Sequence, residues 1–112
     1  MTIFEKVLDA LEDLNIPIVR SFYKGNALSY CIFTTINDKD NFIADDTSEA
    51  ETTRFSITFW NDGSQKDLTR AIKNRLKEAG FIFLDGRDNY DDGFYGFIME
   101  FEGTLWNHEL EE

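Results

Sequence analysis

NFIADDTSEAETTRFSITFWNDGSQKDLTRAIKNRLKEAGFIF, residues 41–83, is the stretch whose reading decides the fold. From Phe55 to Trp60 it alternates, with Phe55, Ile57 and Phe59 on one side and Ser56 and Thr58 on the other. A period of two marks a half-buried strand. Asn61-Asp62-Gly63 breaks the alternation, because these residues accept turn dihedrals that β-branched residues resist. Ser64 is placed to cap a helix, and Asp67 stands three residues on, at the end of the helix dipole that favours an acid. Leu68, Ile72, Leu76 and Ala79 then recur at helical spacing, and Gly80 supplies the left-handed stop. Phe81 to Leu84 reads as a short buried strand.

The same stretch and its flank separate charge. Asp38, Asp40, Asp45, Asp46, Glu49 and Glu51 precede the strand, whereas Lys66, Arg70, Lys73 and Lys77 follow it. At about 100° per residue the basic side chains form one stripe opposite the apolar face of the helix. Two readings stand. The stripe is the solvated face of an amphipathic helix, or it meets the acidic segment of a neighbouring copy. The second reading makes these ten residues, with Trp60 as an aromatic anchor, a candidate subunit interface. Contact between two different patches is heterologous and closes into a ring or runs on as a filament.

The chain has 112 residues, enough for one domain with a single core. It is 42% hydrophobic and holds 11 Phe, a globular composition. The formal net charge of −11 speaks against direct binding of DNA or RNA and against an anionic membrane surface. Cys31 is the single cysteine, so an intrachain disulfide is excluded and a reducing, intracellular setting fits. MTIFEKVLDALEDL carries acids where a leader peptide needs bases, and no apolar run is long enough to span a membrane.

Around the central stretch the remaining elements fall into place. Residues 2–14 predict a helix capped by Thr2 with Glu5 three residues on, and Pro17 follows its end. Residues 18–23 and 27–36 predict strands, the second with apolar residues on both faces. Residues 37–51 predict a long polar loop or a projecting hairpin arm. DGRDNYDDG, residues 85–93, predicts an acidic hairpin loop, and residues 94–101 a last strand. The order α-β-β-β-α-β-β predicts an α+β domain over residues 1–104, with two helices on one face of a mainly antiparallel sheet. Residues 105–112 form an acidic C-terminal tail.

Catalytic constellations are weak. DGRDNYDDG departs from a calcium loop at Tyr90, and Met99 stands where the closing Glu belongs. Asp45, Asp46 and Glu49 are the candidates for a magnesium-dependent hydrolase, but no base is paired with them. His108 in the tail and Cys31 in mid-strand are the only His and Cys, and a packed thiol beside a surface imidazole is the simpler reading. The glycines are scattered, so no phosphate loop exists. Nothing in the sequence calls for a cofactor.

A resemblance adds to this. YCIF at residues 30–33, ADD at 44–46, KNRLKEAGF at 73–81 and the closing DNYDDGFYGFIMEFE at 88–102 resemble small phage and prophage proteins of Gram-positive bacteria. The similarity spans residues 1–102, and the element order resembles the tail terminator, or tail-to-head joining, family of long-tailed phages. What the resemblance implies is a non-enzymatic ring, commonly of six subunits. Such a ring caps the tail tube, docks to the head connector, resides in the virion tail and assembles in the host cytoplasm. That family offers no catalytic residue to carry over. The competing expectation is a small acidic inhibitor or DNA mimic that fills a basic groove of a host enzyme.

Overall fold

The computed structural model describes residues 1–42 and 49–106. In chain order it contains α1 (Ile3–Ala10), a 3-10 turn (Glu12–Leu14), β1 (Ile18–Arg20), β2 (Ser29–Phe42), β3 (Glu49–Asn61), α2 (Leu68–Glu78), β4 (Ile82–Asp91) and β5 (Phe94–Trp106). The strands form one sheet in the order β1-β2-β3-β5-β4. β1 runs parallel to β2 and every other pairing is antiparallel. Two helices and a mixed sheet make the α+β architecture that the element order predicts.

The local signals explain the helices. Thr2 Oγ1 accepts a hydrogen bond from the Glu5 N–H at 3.1 Å, and Glu5 Oε1 accepts one from the Thr2 N–H at 2.8 Å. This reciprocal box satisfies two donors that the first turn leaves without intrahelical partners. α1 is shorter than residues 2–14, because its last turn tightens to 3-10 before Asn15 turns left-handed at φ 55°. α2 starts later than Ser64 predicts. Asp62 accepts hydrogen bonds from both the N–H and the hydroxyl of Ser64, so Ser64 closes the turn and Asp67 stands at the cap position. At the other end Gly80, at φ 98°, donates to Lys77 O and Phe81 donates to Leu76 O. That pair of bonds is a Schellman motif, and it lays buried Phe81 against buried Leu76.

The strands differ more from their expected bounds. β1 stops at Arg20 rather than residue 23, because Ser21 takes φ 71° while its N–H donates to Phe33 O at 3.0 Å. The segment expected as a long polar loop or a projecting hairpin arm is the second of these, and most of it is paired strand. Asn37 through Phe42 pair with Arg54 through Glu49, after a bulge between Thr35 and Asn37. The candidate acids Asp45 and Asp46 lie outside the described residues. Likewise 85–91 is strand rather than loop. Asp92 and Gly93 alone form the turn, at φ 49° and 84°, the pair of positive values that a type I′ hairpin requires. An extended backbone does not wrap around a cation, so this segment has no calcium-loop geometry. β5 continues through Trp106, and residues 107–112 are outside the described structure.

The core lies between one sheet face and the two helices. Phe33, Phe55, Ile57, Phe59, Met99 and Phe101 from the sheet meet Ile3, Val7, Leu11, Ile72 and Leu76 from the helices. On β2 it is the Cys31 and Phe33 side that is buried, while Ile36, and Leu28 just before the strand, stand 49% and 61% exposed. Phe55 is the hub, with its ring 5.0 Å from Phe33, 5.8 Å from Phe101 and 5.3 Å, edge-on, from Phe81. Replacing Phe55 by Ala removes all three contacts and opens a cavity. The expected loss is about 3–5 kcal/mol of unfolding free energy, read as a lower midpoint in urea with little change of slope.

Candidate functional site

Lys66, Arg70, Lys73 and Lys77 border an open groove of about 620 Å³ whose apolar floor includes Phe97. Lys66 belongs to the turn before α2; the other three are on the helix. Lys73 Nζ stands 4.0 Å from the Phe83 ring centroid of β4, and Lys66 Nζ 4.4 Å from that of Tyr95 of β5. The row therefore leans from α2 over the β4 side of the sheet. Cations over aromatic faces are attracted by the ring quadrupole and keep their charge turned to water. Arg75, on the opposite flank of α2, is engaged elsewhere. It forms a two-pronged ion pair with Asp13, with Nη2 2.7 Å from Oδ2, and so ties α2 to the turn after α1. The Arg75 guanidinium holds the Asp13 carboxyl below its ordinary range.

The acidic partners predicted from the sequence fall at the other end. Asp38 and Asp40 are on β2, Glu49 and Glu51 on β3, and Asp40 is paired in register with Glu51. Asp38 accepts a hydrogen bond from Thr53 Oγ1. Asp38 and Glu51 border one shallow recess with Thr2, Phe4, Arg20 and Phe33, which places both on the helix-bearing face. Tyr95, beneath Lys66, pairs with Asn61, ten residues along β3 from Glu51. At about 3.3 Å per residue that separation is roughly 33 Å. The acidic arm and the basic row of one copy are thus too far apart to neutralise each other. The molecule measures 52 × 24 × 23 Å, so the arm extends well beyond the packed body.

Trp60 sits on the other sheet face, half-buried. Its ring lies across Gly96, where a Cβ would approach Trp60 Cε3 to 2.8 Å. It belongs to an aromatic patch rather than to the basic groove. Tyr30, its register partner, stacks on Tyr23 at 4.3 Å and meets Phe94 at 6.0 Å. On this face Arg87 bonds both Glu100, at 3.1 Å, and Asp85, at 3.3 Å. Sequence reasoning missed this triad and the aromatic floor beneath the lysines. Both arise from strand pairing, which leaves no local signature.

For chemistry the site offers little. Among the described residues no three of His, Cys, Asp and Glu gather as metal ligands. Asp45, Asp46 and His108, also weighed for chemistry, lie outside that set. Cys31 is fully buried, and burial pushes its thiol up to about 12. A thiol so held is protonated and shielded, the opposite of an activated nucleophile.

No family model matches the chain, and no curated protein matches it. Solved structures share its fold. One is a chain of the virion of a native gene transfer agent (GTA) particle, with a TM-score of 0.57 at 11% identity, covering 93% of this chain and 91% of that one. At that identity the likeness concerns the fold, and it extends over nearly the whole of both chains.

Cys31 also sets a pH dependence. Above the ordinary thiol value of 9.0 the unfolded chain releases its proton while the folded chain retains it up to about 12. Stability therefore falls as pH rises through this window, by about 1.4 kcal/mol per pH unit. Chemical denaturation of the protein and of its Cys31→Ala variant from pH 8 to 11 checks this. The expected result is a gap between the two that narrows with rising pH.

Proposed function

We propose that this chain is a non-enzymatic structural subunit of a phage-like virion. Its specific role in this reading is that of a tail terminator or tail-completion protein, ringed at the head-proximal end of the tail. Two observations support it. The fold is that of a chain in a virion particle, over nearly its full length. The charge is segregated, with an acidic arm at one end and a basic groove roughly 33 Å away by strand rise. The second observation carries the ring. Opposite charges that cannot meet within one copy can meet between neighbours, and a head-to-tail contact of this kind gives a ring where its rotation closes.

In this reading the arm, with Asp38, Asp40 and Glu51, reaches the row Lys66, Arg70, Lys73 and Lys77 of the next copy. The partners are further copies of the chain, six in the resembled family, with the tail tube on one side and the head connector on the other. The subunit is made in the host cytoplasm and ends in the virion tail. The net charge of −11 suits a ring through which DNA passes, since a lumen that bound phosphates would retard it. The reading as an acidic inhibitor or DNA mimic draws on net charge alone. Such a mimic needs a continuous carboxylate surface, and the basic row interrupts it.

Sedimentation velocity across protein and salt concentration, with negative-stain images of large species, tests the proposal. Closed rings that weaken as salt rises are expected. Lys66→Glu combined with Lys73→Glu reverses charge at two points of the groove and should leave monomer at concentrations where the parent forms rings. Rings that survive the double reversal would remove the groove from the interface.

A further inference from the structure

We infer that neighbouring copies join by strand addition, the outer edge of the β2 arm of one copy pairing with β4 of the next. The inference rests on the ring reading above. Among the described residues β1 pairs only with Cys31 to Phe33, so Thr34 to Phe42 of β2 have no strand on their outer side. β4 is the other border of the sheet, and among the described residues Ile82 to Asp91 have a strand partner only in β5. These are edges of similar length, at opposite sides of one sheet. Unpaired edges are templates for another chain.

Direction and face agree. β2 is antiparallel to β3, β3 to β5 and β5 to β4, so β2 and β4 run in opposite senses. Rotation about a ring axis to which the strands are tilted preserves their sense and allows neighbours to be staggered. The joint between β4 of one copy and β2 of the next is therefore antiparallel, with every helix on the same face. Thr34 is level with Asp85 through Ser56 and Glu100, so the arm edge and β4 overlap only in part. Bringing them side by side takes a slide of about five residues, roughly 16 Å, a stagger of the kind that closed sheets require.

Charge complementarity selects a second copy as the occupant. Asp38, on the joining strand, and Glu51 behind it lie on the helix-bearing face. That is the face over which Lys66 and Lys73 of the neighbour lean, between the levels of Phe83 and Tyr95. After the slide, these acids come beneath the basic row. On the β4 edge Arg87 is held by Asp85 and Glu100 on the other face. Asp88, opposite Phe97, is the one acid of the strand that borders the basic row with Lys66, so the incoming acids are drawn to the lysines and not to the strand edge itself.

Amide hydrogen–deuterium exchange tests the joint, comparing the ring fraction with the monomeric Lys66→Glu/Lys73→Glu variant. Exchange in 34–42 and 82–91 should slow by about tenfold or more in the ring, since newly bonded amides open only with the interface. The central strand β3 serves as the control that does not change. Rings in which both edges exchange as in the monomer overturn the strand joint and leave the ring reading standing. Absence of rings under all conditions overturns both.

Discussion

The buried ring of Phe55 is the constraint on which the rest of the structure depends. It stands on the middle strand of the sheet and touches aromatic side chains of β2, β5 and the end of α2. Phe83 extends the cluster to β4 through Phe101, at 5.4 Å. Each of these contacts joins residues far apart in the chain, so the cluster forms only when the strands are correctly registered. A slip of one residue in β3 would turn Phe55, Ile57 and Phe59 out of the core together. The aromatic cluster thus selects both the face that the helices cover and the pairing that extends outward from it.

That pairing has a consequence at each end of the sheet. Towards the arm, the ladders continue into more polar sequence, where Asn37 to Phe42 meet Glu49 to Arg54 and Ala50 meets Trp106. Backbone hydrogen bonds and rungs such as Thr52–Thr104, 3.2 Å apart, hold this region together with the buried Ala50 and Leu105. Towards the other end, α2 is bound to the α1 side by Arg75 and Asp13, and its basic flank is left to lean over β4. With side chains 38% and 61% exposed, that ion pair orients the helix more than it stabilises the fold. The result is a packed body with an acidic projection at one end and a basic groove at the other. Its one cysteine is sealed beneath the helices.

Much of this was legible in the residues themselves. The capping box at Thr2 and Glu5, the apolar stripe of α2, the stop at Gly80 and the alternation of Phe55 to Phe59 are local, and each appears as the sequence indicates. Local signals of this kind depend on one residue's dihedral preference or on a spacing of a few residues. The separation of acidic and basic residues was equally plain. What misled was polarity. Residues 37–42 and 85–91 have the composition of loops, yet each has a strand beside it with hydrogen-bonding groups to share. Ser64 fits a cap in isolation but is taken by Asp62 in the preceding turn.

The sequence by itself therefore determined the kinds of element, their order, the apolar face of each helix and the segregation of charge, because these follow from periods of two and 3.6 residues along a short stretch. Tertiary structure alone decided the sheet order, which side of β2 is buried, how far the arm extends and which aromatic rings lie under Lys66 and Lys73. Those are outcomes of strand pairing between distant segments. Pairing depends on what another part of the chain offers, and composition at one position does not record it.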